Sequence, residues 1–222
     1  YVVEEAVTAG LDDVLIITGR NKTSLEDHFD RAPMLESTLS KKNDTERLAA
    51  VREASDLAKV HYVRQGEARG LGHAVLCADM HVGDEPFAVL LGDDIIDERN
   101  PVLERMAQIR AEFGGSALCL MEVPHSQIHL YGCAAVEPIE GSDAVRVTDL
   151  VEKPDADAAP SNLAVIGRYV LDPAVFEVLR STAPGRGDEI QLTDALQALA
   201  GMPADQGGQV FGLVFRGRRY DT

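Results

Sequence analysis

The sequence predicts an α/β fold, with helices layered around a largely parallel sheet. Through the first half of the chain, short apolar strand-like runs alternate with helical segments, the arrangement that places crossover helices between strands. The chain has 222 residues, 45% of them apolar, which suffices to bury the core of one large domain.

The elements follow in order. Residues 1–9 read as the end of a helix stopped by Gly10. Val14-Leu15-Ile16-Ile17 is a short, fully apolar strand. Residues 24–29 and 44–58 read as helices joined by a polar connection, and Val60-His61-Tyr62-Val63 as a strand. A glycine loop follows, then a helix over 73–80. Residues 87–91 form a buried strand ending in acids. Pro101 opens a helix that runs to 113, and residues 117–123 form the next strand. Beyond it the character changes. Residues 132–136, 144–151 and 163–171 are strand-like with few helices between them. Helices return at 173–180 and 190–200, and 209–215 is the last strand.

Composition excludes several classes. The formal charge of −16 repels phosphate backbones, so nucleic acid is not an expected partner. An anionic small substrate would need local help from a metal, a lysine or backbone N–H groups. There is no apolar run of membrane-spanning length, and with no basic segment or apolar signal core at Tyr1 secretion is not expected. Cys77, Cys119 and Cys133 are odd in number and set among apolar neighbours, as expected of reduced thiols in a cytoplasm.

Four stretches could carry chemistry. In Val63-Arg64-Gln65-Gly66-Glu67-Ala68-Arg69-Gly70-Leu71-Gly72-His73-Ala74 a strand runs through a glycine loop into a helix. Gly70 and Gly72 let backbone approach a flat ligand, and the Gln65 amide can read a base edge; an ordinary strand-to-helix turn is the plainer alternative. Leu91-Gly92-Asp93-Asp94 sets two carboxylates at the carboxyl end of a buried strand, where open α/β sheets bind ligands and where Mg²⁺ finds oxygen donors. The alternative is a cap on the next turn. In Val151-Glu152-Lys153-Pro154, Glu152 can accept from sugar hydroxyls and Lys153 can hold a phosphate, although Glu-Lys-Pro alone is a common strand end. In Gly187-Asp188-Glu189-Ile190-Gln191-Leu192-Thr193-Asp194, Asp188 and Gln191 fit a capping box that opens a helix. His73 is expected to pack or cap, and His125 with His129 is not expected to hold a metal.

Taken in order, with Tyr1-Val2-Val3-Glu4-Glu5, Val82-Gly83-Asp84-Glu85-Pro86, Tyr131-Gly132, Pro160-Ser161-Asn162-Leu163-Ala164 and Gly167-Arg168-Tyr169-Val170-Leu171, these stretches resemble the bacterial UTP–glucose-1-phosphate uridylyltransferases over nearly the whole chain. The resemblance implies a Rossmann-like nucleotidyltransferase fold with a mixed, mostly parallel central sheet flanked by helices. It implies that Gln65 and the Gly70–Gly72 backbone hold uracil. Asp93, with Asp221, binds Mg²⁺. Gly132 and Glu152, with Tyr131 shaping the turn, hold glucose, and Lys153 binds the sugar phosphate. The substrates are then UTP and glucose 1-phosphate, and the products UDP-glucose and pyrophosphate. Asp93 and Lys153 carry the catalysis, in a cytoplasmic enzyme that forms a homo-oligomer, dimer or tetramer, when complete.

The family also has a glycine-rich triphosphate loop before the position of Tyr1 and helices after that of Thr222. Residues 1–222 are therefore expected to be a single catalytic domain truncated at both ends and inactive as written. Three rivals differ in chemistry: a sister enzyme using dTTP or another sugar phosphate, a non-catalytic binder of sugar nucleotides, and a glycosyltransferase that releases UDP.

Overall fold

The computed structural model describes residues 1–97 and 101–221, with the backbone alone at Asp221. Contacts within the chain divide it into two compact units, Val3–Glu67 (with Tyr1) and Ala68–Thr222 (with Val2).

The first unit holds α1 (Val2–Thr8), β1 (Asp13–Thr18), α2 (Thr23–Phe29), α3 (Pro33–Lys41), α4 (Thr45–Asp56) and β2 (Lys59–Arg64). β1 and β2 pair in parallel, Val14 opposite Val60 and Ile17 opposite Val63, as a helical crossover requires. Asp44 caps α4 by accepting from the Arg47 N–H at 3.3 Å. α3 lies where the sequence suggests only a polar connection. Pro33 opens it, and Glu36 anchors it. Glu36 is buried and accepts from Arg31 Nε at 2.7 Å and Arg52 Nε at 2.9 Å. These hydrogen bonds, that from Arg31 foremost, lower the Glu36 carboxyl to about 2. The buried residues of α3 are Glu36 and Leu39, while Met34 and Leu35 are exposed, so no apolar stripe marks the helix in the sequence.

The second unit runs α5 (Leu71–Leu76), α6 (Asp79–Val82), β3 (Phe87–Leu90), β4 (Asp94–Ile96), α7 (Val102–Phe113), β5 (Ser116–Glu122), β6 (Gly132–Pro138), β7 (Ala144–Glu152), β8 (Leu163–Leu171), α8 (Ala174–Ser181), α9 (Leu192–Ala200), β9 (Val210–Phe215) and β10 (Arg219–Asp221). Its main sheet has the order β3-β8-β5-β9-β7-β6, and β4 pairs separately with β10. Leu118 and Leu120 of β5 join Phe176 and Leu179 of α8 and Leu192, Leu196 and Leu199 of α9 in one buried core. Burying each such side chain favours folding by about 1.5–3 kcal/mol. On the other face Phe211 of β9 stacks on Phe113 of α7, centroids 5.0 Å apart. The sheet thus has helices on both faces and mixed strand directions, as expected.

The balance of directions differs from the expected one. Among the described residues of this sheet only β5 and β9 run parallel. The pairs β3–β8, β5–β8, β6–β7 and β7–β9 are antiparallel. The reason lies in the connections. β6 and β7 are separated by residues 139–143 alone, and so short a link permits only a hairpin. Among the described residues no helix is long and apolar enough to cross a membrane. Cys119 and Cys133 are buried thiols, and Cys77 is half-buried.

Candidate active site

The two adjacent acids after β3 have opposite surroundings. Asp94 is buried, whereas Asp93 is exposed. Asp94 Oδ2 accepts from the Gly167 N–H at 2.7 Å and Oδ1 from Arg219 Nε at 2.7 Å. Its carbonyl accepts from Arg168 Nη2 at 2.7 Å. Arg168 is fully buried and also donates to the Gly167 carbonyl at 2.8 Å. Gly167 accepts in turn from the Leu91 N–H at 2.9 Å. A Cβ at Gly167 would lie 2.8 Å from both Asp94 Oδ2 and Leu91 Cβ, so only glycine allows β8 this close to the turn. Asp94 is thus structural. Of the pair, Asp93 has the chemistry of a Mg²⁺ ligand, a hard oxygen donor at the solvent side of a braced turn. β10 runs antiparallel to β4 with Asp221 in register with Asp94. The Asp221 side chain lies outside the described residues.

A second group sits where β7 ends. Gly132 pairs with Glu152 across the β6–β7 ladder. Thr193, at the start of α9, donates its hydroxyl to Glu152 Oε2 at 2.7 Å. Lys153 Nζ stands 3.7 Å from Glu152 Oε1. A Cβ at Gly132 would lie 3.1 Å from the Thr193 hydroxyl and 3.3 Å from Glu152 Oε2. The missing side chain therefore leaves room around the carboxylate. Lys153 adopts a left-handed backbone with φ 43°, which costs a non-glycine residue about 1–2 kcal/mol. Two bonds hold it there. Its N–H donates to the Tyr131 carbonyl at 3.0 Å, and its carbonyl accepts from Arg186 Nη1 at 2.5 Å. Asp194, beside Thr193, has its carboxyl raised by burial and, secondarily, by the charge of Glu152.

The glycine loop is shaped by packing. The Gly72 N–H donates to the Ile190 carbonyl at 2.9 Å, and the Ile190 N–H to the Arg69 carbonyl at 2.9 Å. A Cβ at Gly70 would meet Glu189 Cβ and the Ile190 carbonyl at 2.8 Å, and one at Gly72 would meet that carbonyl at 2.7 Å. The Gly72 donor suggested for a ligand is thus engaged within the protein. Tying Ile190 to this loop also displaces the expected capping box. α9 starts at Leu192, and its N-cap Gln191 makes no side-chain capping bond. Instead, Gln191 Nε2 donates to the Arg186 carbonyl at 2.9 Å, and Asp188 has φ 60°.

The structure therefore brings Tyr131, Gly132, Glu152 and Lys153 together at one strand end. Asp93 lies on its braced turn. Gly70 and Gly72 pack on residues 189–190, and Gln65 belongs to the first unit, where its N–H donates to the Thr18 carbonyl at 3.0 Å. His125 Nδ1 lies 3.1 Å from Asn162 Oδ1 within a 3-10 turn, in keeping with a local role. Sequence reasoning missed the parts of Thr193, Arg168, Arg186 and Arg219. Thr193 and Arg168 carry a signal, each lying in a stretch that the family resemblance already marks.

Comparison with known proteins adds four findings. The model of the nucleotidyl transferase family matches residues 1–211. The UTP–glucose-1-phosphate uridylyltransferase of Bacillus subtilis (strain 168) is 46% identical over all of this chain and 74% of its own length. A crystal structure of UDP-glucose pyrophosphorylase complexed with UDP-glucose superposes with a TM-score of 0.85 at 40% identity, over 99% of this chain and 78% of that one. A UTP-bound UGPase from Acinetobacter baumannii gives 0.85 at 36% identity, over 100% of this chain and 75% of that one.

Proposed function

Because this chain belongs to the nucleotidyl transferase family, we propose that it carries out one particular nucleotidyl transfer: UTP and glucose 1-phosphate become UDP-glucose and pyrophosphate. The observation that carries this reading is the corner of Gly132, Glu152 and Lys153. It offers a carboxylate, an ammonium 3.7 Å from it and, beside them, a glycine whose side chain would crowd that carboxylate. A phosphorylated sugar needs that combination, hydroxyls facing the acceptor and phosphate facing the cation. The similarity to enzymes captured with UTP and with UDP-glucose supports the same substrates.

In the proposed reaction an oxygen of the sugar phosphate attacks the α-phosphorus of UTP, that P–O bond forms, and the bond to the departing pyrophosphate breaks. The attacking phosphate has a second pKa of about 6, so at neutral pH it is already a dianion and needs no general base. What the protein must supply is alignment of two anions. Lys153 holds the sugar phosphate, fixed by its bonds to Tyr131 and Arg186. Glu152, oriented by Thr193, accepts from the glucose hydroxyls, and Gly132 and Tyr131 complete that wall. The loop at Gly70 and Gly72 takes the uracil, the glycines keeping that loop close to residues 189–190. Asp93, with Asp221, would hold Mg²⁺, which when bound screens the phosphate charge. The cytoplasm as compartment and a homo-oligomer as the complete form belong to the same proposal.

The test is pyrophosphate release from glucose 1-phosphate by the full-length protein, measured with UTP, dTTP, ATP and CTP in parallel at fixed Mg²⁺. Release with UTP well above the others is expected. Equal or faster release with dTTP moves the assignment to the sister thymidylyl transfer. Silence with all four from folded protein refutes it.

A further inference from the structure

One largely buried cation links the acid turn to the sugar-phosphate corner. The Arg219 side chain, on β10, is 12% exposed. Its Nε donates to Asp94 Oδ1 at 2.7 Å, and its Nη1 donates to the Tyr131 hydroxyl at 3.2 Å. Its guanidinium carbon also lies 5.2 Å from the centre of the Tyr131 ring, within reach of the ring's negative face. Tyr131 continues the connection, since its carbonyl accepts from the Lys153 N–H at 3.0 Å. Asp94, at the other end, is the covalent neighbour of Asp93. A planar fork that meets a carboxylate, a hydroxyl and a ring face is fixed in orientation as a flexible ammonium would not be.

We propose that Arg219 is a positioning residue: it sets Tyr131, and through it Lys153, at a defined place relative to the Asp93-Asp94 turn, so that the sugar phosphate is presented in line with the nucleotide. This rests on the uridylyl-transfer reading above. It makes the affinity for glucose 1-phosphate, and not that for UTP, depend on an arginine that need not touch either.

Two substitutions test it. Tyr131→Phe keeps the ring and the Asp94–Arg219 pair and removes only the hydroxyl that Arg219 reaches. Arg219→Lys keeps the charge and removes the fork. Calorimetry measures the affinity of the wild type and both variants for glucose 1-phosphate and, separately, for UTP, and steady-state rates give the KM for each. Glucose 1-phosphate binding is expected to weaken roughly fivefold in Tyr131→Phe and tenfold or more in Arg219→Lys, with UTP affinity unchanged. A purely structural role would lower Tm without separating the substrates. Glucose 1-phosphate affinity within twofold of wild type in folded Tyr131→Phe and Arg219→Lys overturns the proposal, as do equal losses for both substrates. Should the wild type bind neither UTP nor glucose 1-phosphate, the uridylyl-transfer reading itself falls and the role of Arg219 with it. Normal wild-type binding with unaltered variants removes Arg219 alone.

Discussion

Replacing Thr193 by valine takes away one hydroxyl and keeps the shape of the side chain. That hydroxyl donates to Glu152 Oε2 at 2.7 Å. A hydrogen bond to a charged acceptor is worth about 1.5–3 kcal/mol. The Glu152 side chain is 15% exposed, so water replaces part of the loss and the lower figure, about 1.5 kcal/mol, applies. Once released, the carboxylate is free to close further on the Lys153 ammonium, with which Oε1 already pairs at 3.7 Å. The groups meant for the sugar hydroxyls and for its phosphate would then neutralise each other. Thr193→Val is therefore expected to raise the KM for glucose 1-phosphate roughly tenfold, with the KM for UTP little changed. Initial rates of pyrophosphate release, with the sugar phosphate varied at saturating UTP, measure this. Urea unfolding checks that the variant is folded. Thr193→Ser, which restores the hydroxyl, should recover most of the affinity. A folded Thr193→Val with a glucose 1-phosphate KM within twofold of wild type refutes the orienting role.

Other consequences can be checked in the same way. Lys153→Ala should lower turnover and sugar-phosphate affinity more than any other single change at this corner; unchanged kinetics would remove Lys153 from the site. Asp93→Asn should shift the Mg²⁺ dependence of the rate to higher concentration, and an unaltered Mg²⁺ titration counts against Asp93 as a ligand. Gly167→Ala would drive a methyl to 2.8 Å from Asp94 Oδ2 and Leu91 Cβ. A loss of about 1–3 kcal/mol is expected in denaturant unfolding, and full stability would mean that β8 and the acid turn are not braced as described. For Glu36 the folded carboxyl titrates at about 2, below the unfolded value of about 4.3. Its contribution to stability is complete above the unfolded value and disappears as pH falls from there through the folded one. Glu36→Gln should accordingly be less stable than wild type at neutral pH, with the gap narrowing on acidification through that window; a pH-independent gap in thermal unfolding rules this out.

What could be read from the sequence follows the range of each interaction. The apolar run at Val14–Ile17 and the periodic residues of α7 identify themselves within a few positions, because burial of a strand or of a helix face writes a local pattern. α3 does not, since its two buried positions are the charged Glu36 and Leu39, and the partners that neutralise Glu36, Arg31 and Arg52, carry no periodic mark. Strand direction was misjudged for a related reason: it is decided by the connections, and β6 and β7 turn back on each other without a crossover. At the site, Glu152 and Lys153 were legible as neighbours in one stretch. Asp93 and Asp94 are separable only through the family resemblance, because what distinguishes them physically is Gly167 and Arg219, which lie 73 and 125 residues on from Asp94. Gly70 and Gly72 suggested a ligand because a glycine advertises only that something comes near. Only the fold reveals that Glu189 and Ile190 come near.

The place of β9 bears on how the second unit is made. This strand lies between β5 and β7, pairing residues 210–215 with 116–121 on one side and residues 211–213 with 144–146 on the other. On a ribosome adding about 5–20 residues per second, the 58 positions from Glu152, the end of β7, to Val210 take roughly 3–12 s to emerge. Throughout that interval both neighbours present bare main-chain edges, the surfaces through which strands of separate molecules join. The nascent unit is thus most prone to aggregation while its middle strand is still being synthesised, and its sheet closes in one late step.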